Sequence, residues 1–180
     1  MIFWRRKDES SAVISAFAVR RVVDEVSGWP SEKLRMNGER LLSEQPALRR
    51  FVMDQYEGWP SSVQLRATAT LVSIIRMFEE ELGPQPGEIG RDLIQHCAAA
   101  NRLLLERLQS GGRRPAISAM DQPAVFEFVS SVLDSLRSEP ANSGALSHVF
   151  DLFFLLKTLV DVMALSYEQG IPAPTVALKA

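Results

Sequence analysis

Apolar residues return at three- and four-residue steps along most of the chain. Two-residue alternation bounded by turn residues is not found, so the pattern predicts helices and no strands. A first helix spans about 9–27, with Val19, Val22, Val23 and Val26 on one side and Gly28 as a left-handed stop. A second covers 31–43. A third opens at Pro46, a residue suited to a first helical turn, and ends near Glu57 and Gly58. The fourth, 61–82, carries Val63, Ala67, Leu71, Ile74, Ile75, Phe78 and Leu82 on one face. Ser61 and Gln64 have the spacing of a capping box, and Gly83-Pro84 ends the helix. The fifth, 87–109, places Ile89, Leu93, Cys97, Ala100, Leu104 and Leu108 together before Ser110-Gly111-Gly112. The sixth starts from Asp121 as N-cap, turns Val125, Phe126, Val129, Val132, Leu133 and Leu136 inward, and breaks at Glu139-Pro140.

The last helix, 142–169, contains LSHVFDLFFLLKTLVDVMAL at Leu146–Leu165. A helix apolar nearly all round belongs in a bundle core, at an interface or in a membrane. On a wheel of about 100° per residue, Ser147, Asp151, Lys157, Thr158, Asp161 and Glu168 share one arc. Phe154 and Leu165 fall inside that arc as surplus apolar surface. A charge at the bilayer centre costs roughly 2.5–3.5 kcal/mol, so Asp151, Lys157 and Asp161 argue against a membrane span. The fold expected is therefore all-α: a single bundle of six to seven helices, with a long, nearly all-apolar helix at or near its centre. One domain covers 1–180, divided into an N-terminal arm (1–8), a four-helix array (9–82), a three-helix completion of the core (83–170) and a tail (171–180) whose two prolines keep its start from being helical.

Two corners echo each other. RRVVDEVSGWPS at Arg20–Ser31 resembles RRFVMDQYEGWPS at Arg49–Ser61, with one extra residue in the second copy. Glycine closes a helix, tryptophan anchors and proline starts the next helix. Both a duplicated helix–corner–helix unit and corner chemistry that arose twice fit this pattern. Two copies are too few for a solenoid.

Composition changes the picture little. Apolar residues make up 46% of the chain and charged residues 23%, as in ordinary globular proteins. A chain of 180 residues buries roughly 70% of the surface its unfolded form exposes, and needs no staple. The net charge of −2 gives no field for nucleic acid. The lone cysteine, Cys97, fits a reducing compartment, and the start MIFWRRKDESS lacks the apolar core of a secretory signal; the expected location is cytoplasmic.

Candidate chemistry is sparse. Asp92 precedes His96 by four residues and Asp151 follows His148 by three, so two histidines and two aspartates converge if their helices touch. The Glu-x-x-His pairs of di-metal bundles are missing. His96 and Cys97 point about 100° apart on a helix, which suits a structural thiol better than a nucleophile. Glu79-Glu80-Glu81 form a solvated acidic face or pair with Arg76. Lys157 and Asp161 lie one turn apart and should pair. Arg113 and Arg114 follow two glycines in a loop suited to a carboxylate or phosphate contact.

These features point first to a non-catalytic protein–protein interaction module: an adaptor, accessory subunit or binding inhibitor whose partner is another protein or a second copy as a homodimer. The interface or pocket candidates are Phe150, Phe153, Phe154, Lys157, Asp161, Met163 and Leu165. A small-molecule-binding bundle with an apolar pocket at the last helix is the alternative. An enzyme or metal-binding bundle using His96, His148 and the nearby aspartates is the second alternative. No cofactor, nucleic acid or transmembrane span is expected. Peripheral membrane contact through Phe3, Trp4, Arg5, Arg6 and Lys7 is a further partner reading.

Overall fold

In a computed structural model, residues 13–84, 87–111, 121–138 and 148–170 are described. They form seven helices and no strand: α1 (Ala16–Ser27), α2 (Ser31–Ser43), α3 (Pro46–Tyr56), α4 (Ser61–Leu82), α5 (Arg91–Gln109), α6 (Pro123–Arg137) and α7 (Val149–Glu168).

Local chemistry sets the boundaries, and it corrects several expectations. α1 starts at Ala16 rather than near Glu9, because Ser15 is extended and its Oγ accepts from the Ala18 N–H at 3.2 Å. The capping box at Ser61 does not form. Pro60 is the N-cap, and the Gln64 side chain instead reaches back to donate to the carbonyls of Trp59 (2.9 Å) and Tyr56 (3.3 Å). Asp121 is exposed and does not cap α6; Gln122 stands at the N-cap and Pro123 opens the helix. Gln45-Pro46 starts α3 with the same backbone. Both glutamines are buried and used as latches. Gln122 Oε1 accepts from Ile14 N–H at 2.8 Å, while Gln45 accepts from Ile89 N–H at 2.7 Å and donates to Gly87 O at 3.1 Å.

The two Gly-Trp-Pro corners differ. In each, the tryptophan N–H bonds three residues back, Trp29 to Val26 O and Trp59 to Tyr56 O, both at 3.0 Å. At the second corner Glu57 (φ −57, ψ 123) and Gly58 (φ 78) make a type II turn, which requires a left-handed residue. At the first, Gly28 has φ −82 and ψ −2, so the expected left-handed stop is right-handed instead. Trp59 is buried between Tyr56 (5.5 Å) and His148 (5.7 Å); Trp29 is half-buried beneath the Lys33 ammonium.

All seven helices feed one buried apolar cluster. α4 packs against α1, α2 and α7, and six consecutive residues, Thr70–Ile75, are buried in it. α7 packs against α4, α5 and α6. The centre is thus a pair, α4 with α7, where the sequence pattern pointed to the last helix. α2 lies close on α4 because Gly38 has no side chain; a Cβ there would stand 2.7 Å from Thr68 Cγ2. Eleven residues of α7 are buried, while Phe150, Asp151 and Glu168 are exposed. No helix among the described residues is long and apolar enough to cross a membrane.

Candidate functional site

α5 has two differently built sides. Its inner edge is Ile94, Cys97 and Asn101, all buried. Ala100, expected inward with Leu93 and Leu104, is exposed. The helix is rotated toward Asn101 because that side chain has charged and polar partners on α7. Asn101 Nδ2 donates to Asp161 Oδ2 at 2.7 Å and to Thr158 Oγ1 at 3.3 Å. Asp161 also accepts from Lys157 Nζ at 2.5 and 2.6 Å, and that ammonium lies 5.1 Å from the centre of the Phe126 ring. The Lys157 and Asp161 side chains keep only 13% and 24% of their exposure. Lysine and aspartate satisfy each other, and the amide fills the carboxylate's remaining site. This cross-helix bond fixes the register of α5 on α7.

Cys97 sits beside this cluster, 3% exposed. Burial first, and then the negative charge of Asp161, push its thiol up to about 11. It is held as a thiol at neutral pH and is a poor nucleophile there.

The outer side of α5 lines a groove of about 440 Å³ with Gln95, Ala98, Ala99, Arg102, Leu103 and Glu106. Leu103 is 57% exposed. Arg102 links the groove to the next layer, since its guanidinium stands 5.7 Å over the Phe154 ring, which meets Phe51 edge-on at 6.1 Å. This layer explains Phe154. It is 5% exposed, so the surplus apolar surface expected at that position is covered by α3 and α5. The sequence did signal an outward leucine: Leu103-Leu104-Leu105 spans about 200° of a helix, more than one face can bury. The inward turn of Asn101 had no comparable signal, since it depends on which helix lies opposite.

The expected site residues are dispersed. Met163 is buried, Phe153 and Leu165 are half-buried, and Phe150 is exposed at 42%; none of them lines the groove. Asp92 and His96 are exposed on α5. His148 lies against Trp59 with Nδ1 buried, 3.5 Å from Asp151 Oδ2 and not hydrogen-bonded to it. Among the described residues no group of three or more His, Cys, Asp or Glu stands together, so the two histidines and two aspartates are not gathered. Glu79, Glu80 and Glu81 turn to their own chain: Glu79 to Arg76 (3.9 Å), Glu80 to Arg21 (2.5 Å) and Glu81 to Ser15 Oγ (2.6 Å). Arg76 also meets Glu25 at 3.1 Å. Phe3, Trp4, Arg5, Arg6, Lys7, Arg113, Arg114 and the tail 171–180 lie outside the described residues.

Compared with family models, with curated proteins and with solved structures, the chain matches none of them.

Proposed function

We propose that this chain is a non-catalytic interaction module, a single helical bundle that offers the outer face of α5 to a partner. The observation that carries the reading is the contrast between the two sides of that helix. One side is locked to α7 by Asn101 and Asp161, and the other presents Ala98, Ala99 and an exposed Leu103 along a groove. Alanines let a second helix approach closely, and a leucine among them supplies an anchor. The reactive groups that α5 and α7 bring together argue for structure over catalysis: Lys157 and Asp161 neutralise each other, and Cys97 is held protonated. The small-molecule reading has less support, because Phe150, Phe153, Phe154 and Met163 do not line the groove.

The test is affinity capture from source-cell extract with the unaltered chain, Leu103→Asp and Met36→Asp, after circular dichroism has shown equal helicity. Met36 is 59% exposed on α2 and serves as the control. A partner held by the unaltered chain and by Met36→Asp but lost with Leu103→Asp supports the reading. Equal retention by all three rules out the α5 face.

A further inference from the structure

The spacing of charge and size along α5 says what can lie on it. We propose that the occupant is α5 of a second copy, laid antiparallel about a two-fold axis between Ala99 and Arg102. This rests on the reading of the α5 outer face as a docking surface and names its partner.

A two-fold interface presents the same patch twice, so the patch must complement itself. About this axis, Leu103 falls opposite Ala98 of the second copy, large against small, and the reciprocal pair repeats the fit. Gln95 falls opposite Glu106, an amide donor facing a carboxylate. Ala99 falls opposite Arg102, whose guanidinium is drawn aside onto Phe154 and leaves the alanines to set the helix separation.

The ends of α5 carry the charges that choose the direction. About the same axis Asp92 in the first turn falls opposite Gln109, two residues from Arg107 in the last turn of the other copy, so the two charges lie within side-chain reach, and Arg91 lies within one turn of Glu106. Among the described residues, none of these four has an ion-pair partner. A parallel arrangement in register would set Asp92 beside Asp92 and Arg107 beside Arg107, so the charges favour the antiparallel one. α5 has 19 residues and is about 28 Å long at 1.5 Å per residue. A seam of that length is at the small end of stable interfaces, so the expected dimer is reversible, with a Kd on the order of micromolar.

The experiment is sedimentation equilibrium of the full chain across a wide concentration range, with Asp92→Arg, Arg107→Asp, the double variant Asp92→Arg/Arg107→Asp, and Leu103→Asp. All of these positions are exposed, so the fold should survive, and helicity checks it. The expected results are a mass that rises from one chain to two, each single charge reversal weakening the dimer about tenfold, and the double variant recovering most of that loss because its charges are again complementary. Leu103→Asp should stay monomeric. An unaltered chain that is monomeric at every concentration overturns the second-copy proposal and leaves the α5 face to the capture experiment. A dimer that Leu103→Asp does not weaken is formed through another face, which overturns the second-copy pairing on α5. Single reversals that weaken a dimer the double variant fails to restore overturn the antiparallel pairing.

Discussion

Replacing Asn101 with alanine removes a side chain that ties α5 to the charged pair on α7. Its bond to Asp161, 2.7 Å to an ionised acceptor, is of the class that contributes about 1.5–3 kcal/mol. The longer bond to Thr158, 3.3 Å between neutral groups, adds about 0.5–1 kcal/mol. Asn101 is only 3% exposed, so water replaces these bonds poorly. The expected loss is about 2–4 kcal/mol. For a chain of this size that corresponds to a melting temperature lowered by roughly 4–16 °C. Urea unfolding followed by circular dichroism measures it. A double-mutant cycle with Asp161→Ala isolates the pair and should return a coupling of about 1–2 kcal/mol. A loss below about 0.5 kcal/mol, with coupling near zero, would refute the claim that this contact sets the register of α5.

Other predictions follow from single groups. Gly58→Ala puts a side chain at φ 78 and should cost about 0.5–1.5 kcal/mol, whereas Gly28→Ala, at φ −82 with the nearest atom 3.6 Å from the added Cβ, should be neutral or stabilise by up to about 1 kcal/mol; thermal melts that rank the two the other way would contradict the turn assignments. Cys97 should resist alkylation at pH 8 in the folded chain and react on unfolding, because burial holds it as a thiol; fast native labelling would contradict its placement. Burial raises the carboxyl of Glu79 above its ordinary 4.5, against the pull of Arg76 and Arg40. A raised acid binds more protons folded than unfolded, so its share of stability is present below 4.5 and is lost as pH rises through its folded value. Glu79→Gln should therefore flatten that fall, and pH-dependent melts with an unchanged slope would contradict the burial of this group.

The helix pattern was legible wherever periodicity was strong. α2, α3 and α4 lie where the three- and four-residue steps put them, since an amphipathic stripe is a local property. The starts of α1 and α6 were misread: Ser15 caps α1 well after the start expected near Glu9, and the Gln122-Pro123 pair displaces Asp121 as the opening of α6. Gln45 and Gln122 could not be recognised as latches, because each bonds a backbone amide far away in the chain. The pairing of Lys157 with Asp161 was readable from their spacing of four, whereas the third member, Asn101, came from another helix. Phe154 looked misplaced in a polar arc only because Phe51 and Arg102, which cover it, belong to α3 and α5. The similarity of the two Gly-Trp-Pro corners concealed a type II turn in one and a right-handed glycine in the other.

The central claim is that the outer face of α5 docks a second copy of the chain, and a nitroxide label at position 103 tests it most directly. The label is placed on a Leu103→Cys chain in a Cys97→Ala background, with Met36→Cys in the same background as the control. Its mobility is then read by electron spin resonance as the protein concentration rises. The account predicts fast motion at both positions in dilute solution and immobilisation at 103 alone as the chain associates. Equal mobility at both positions throughout, or equal immobilisation at both, would contradict it.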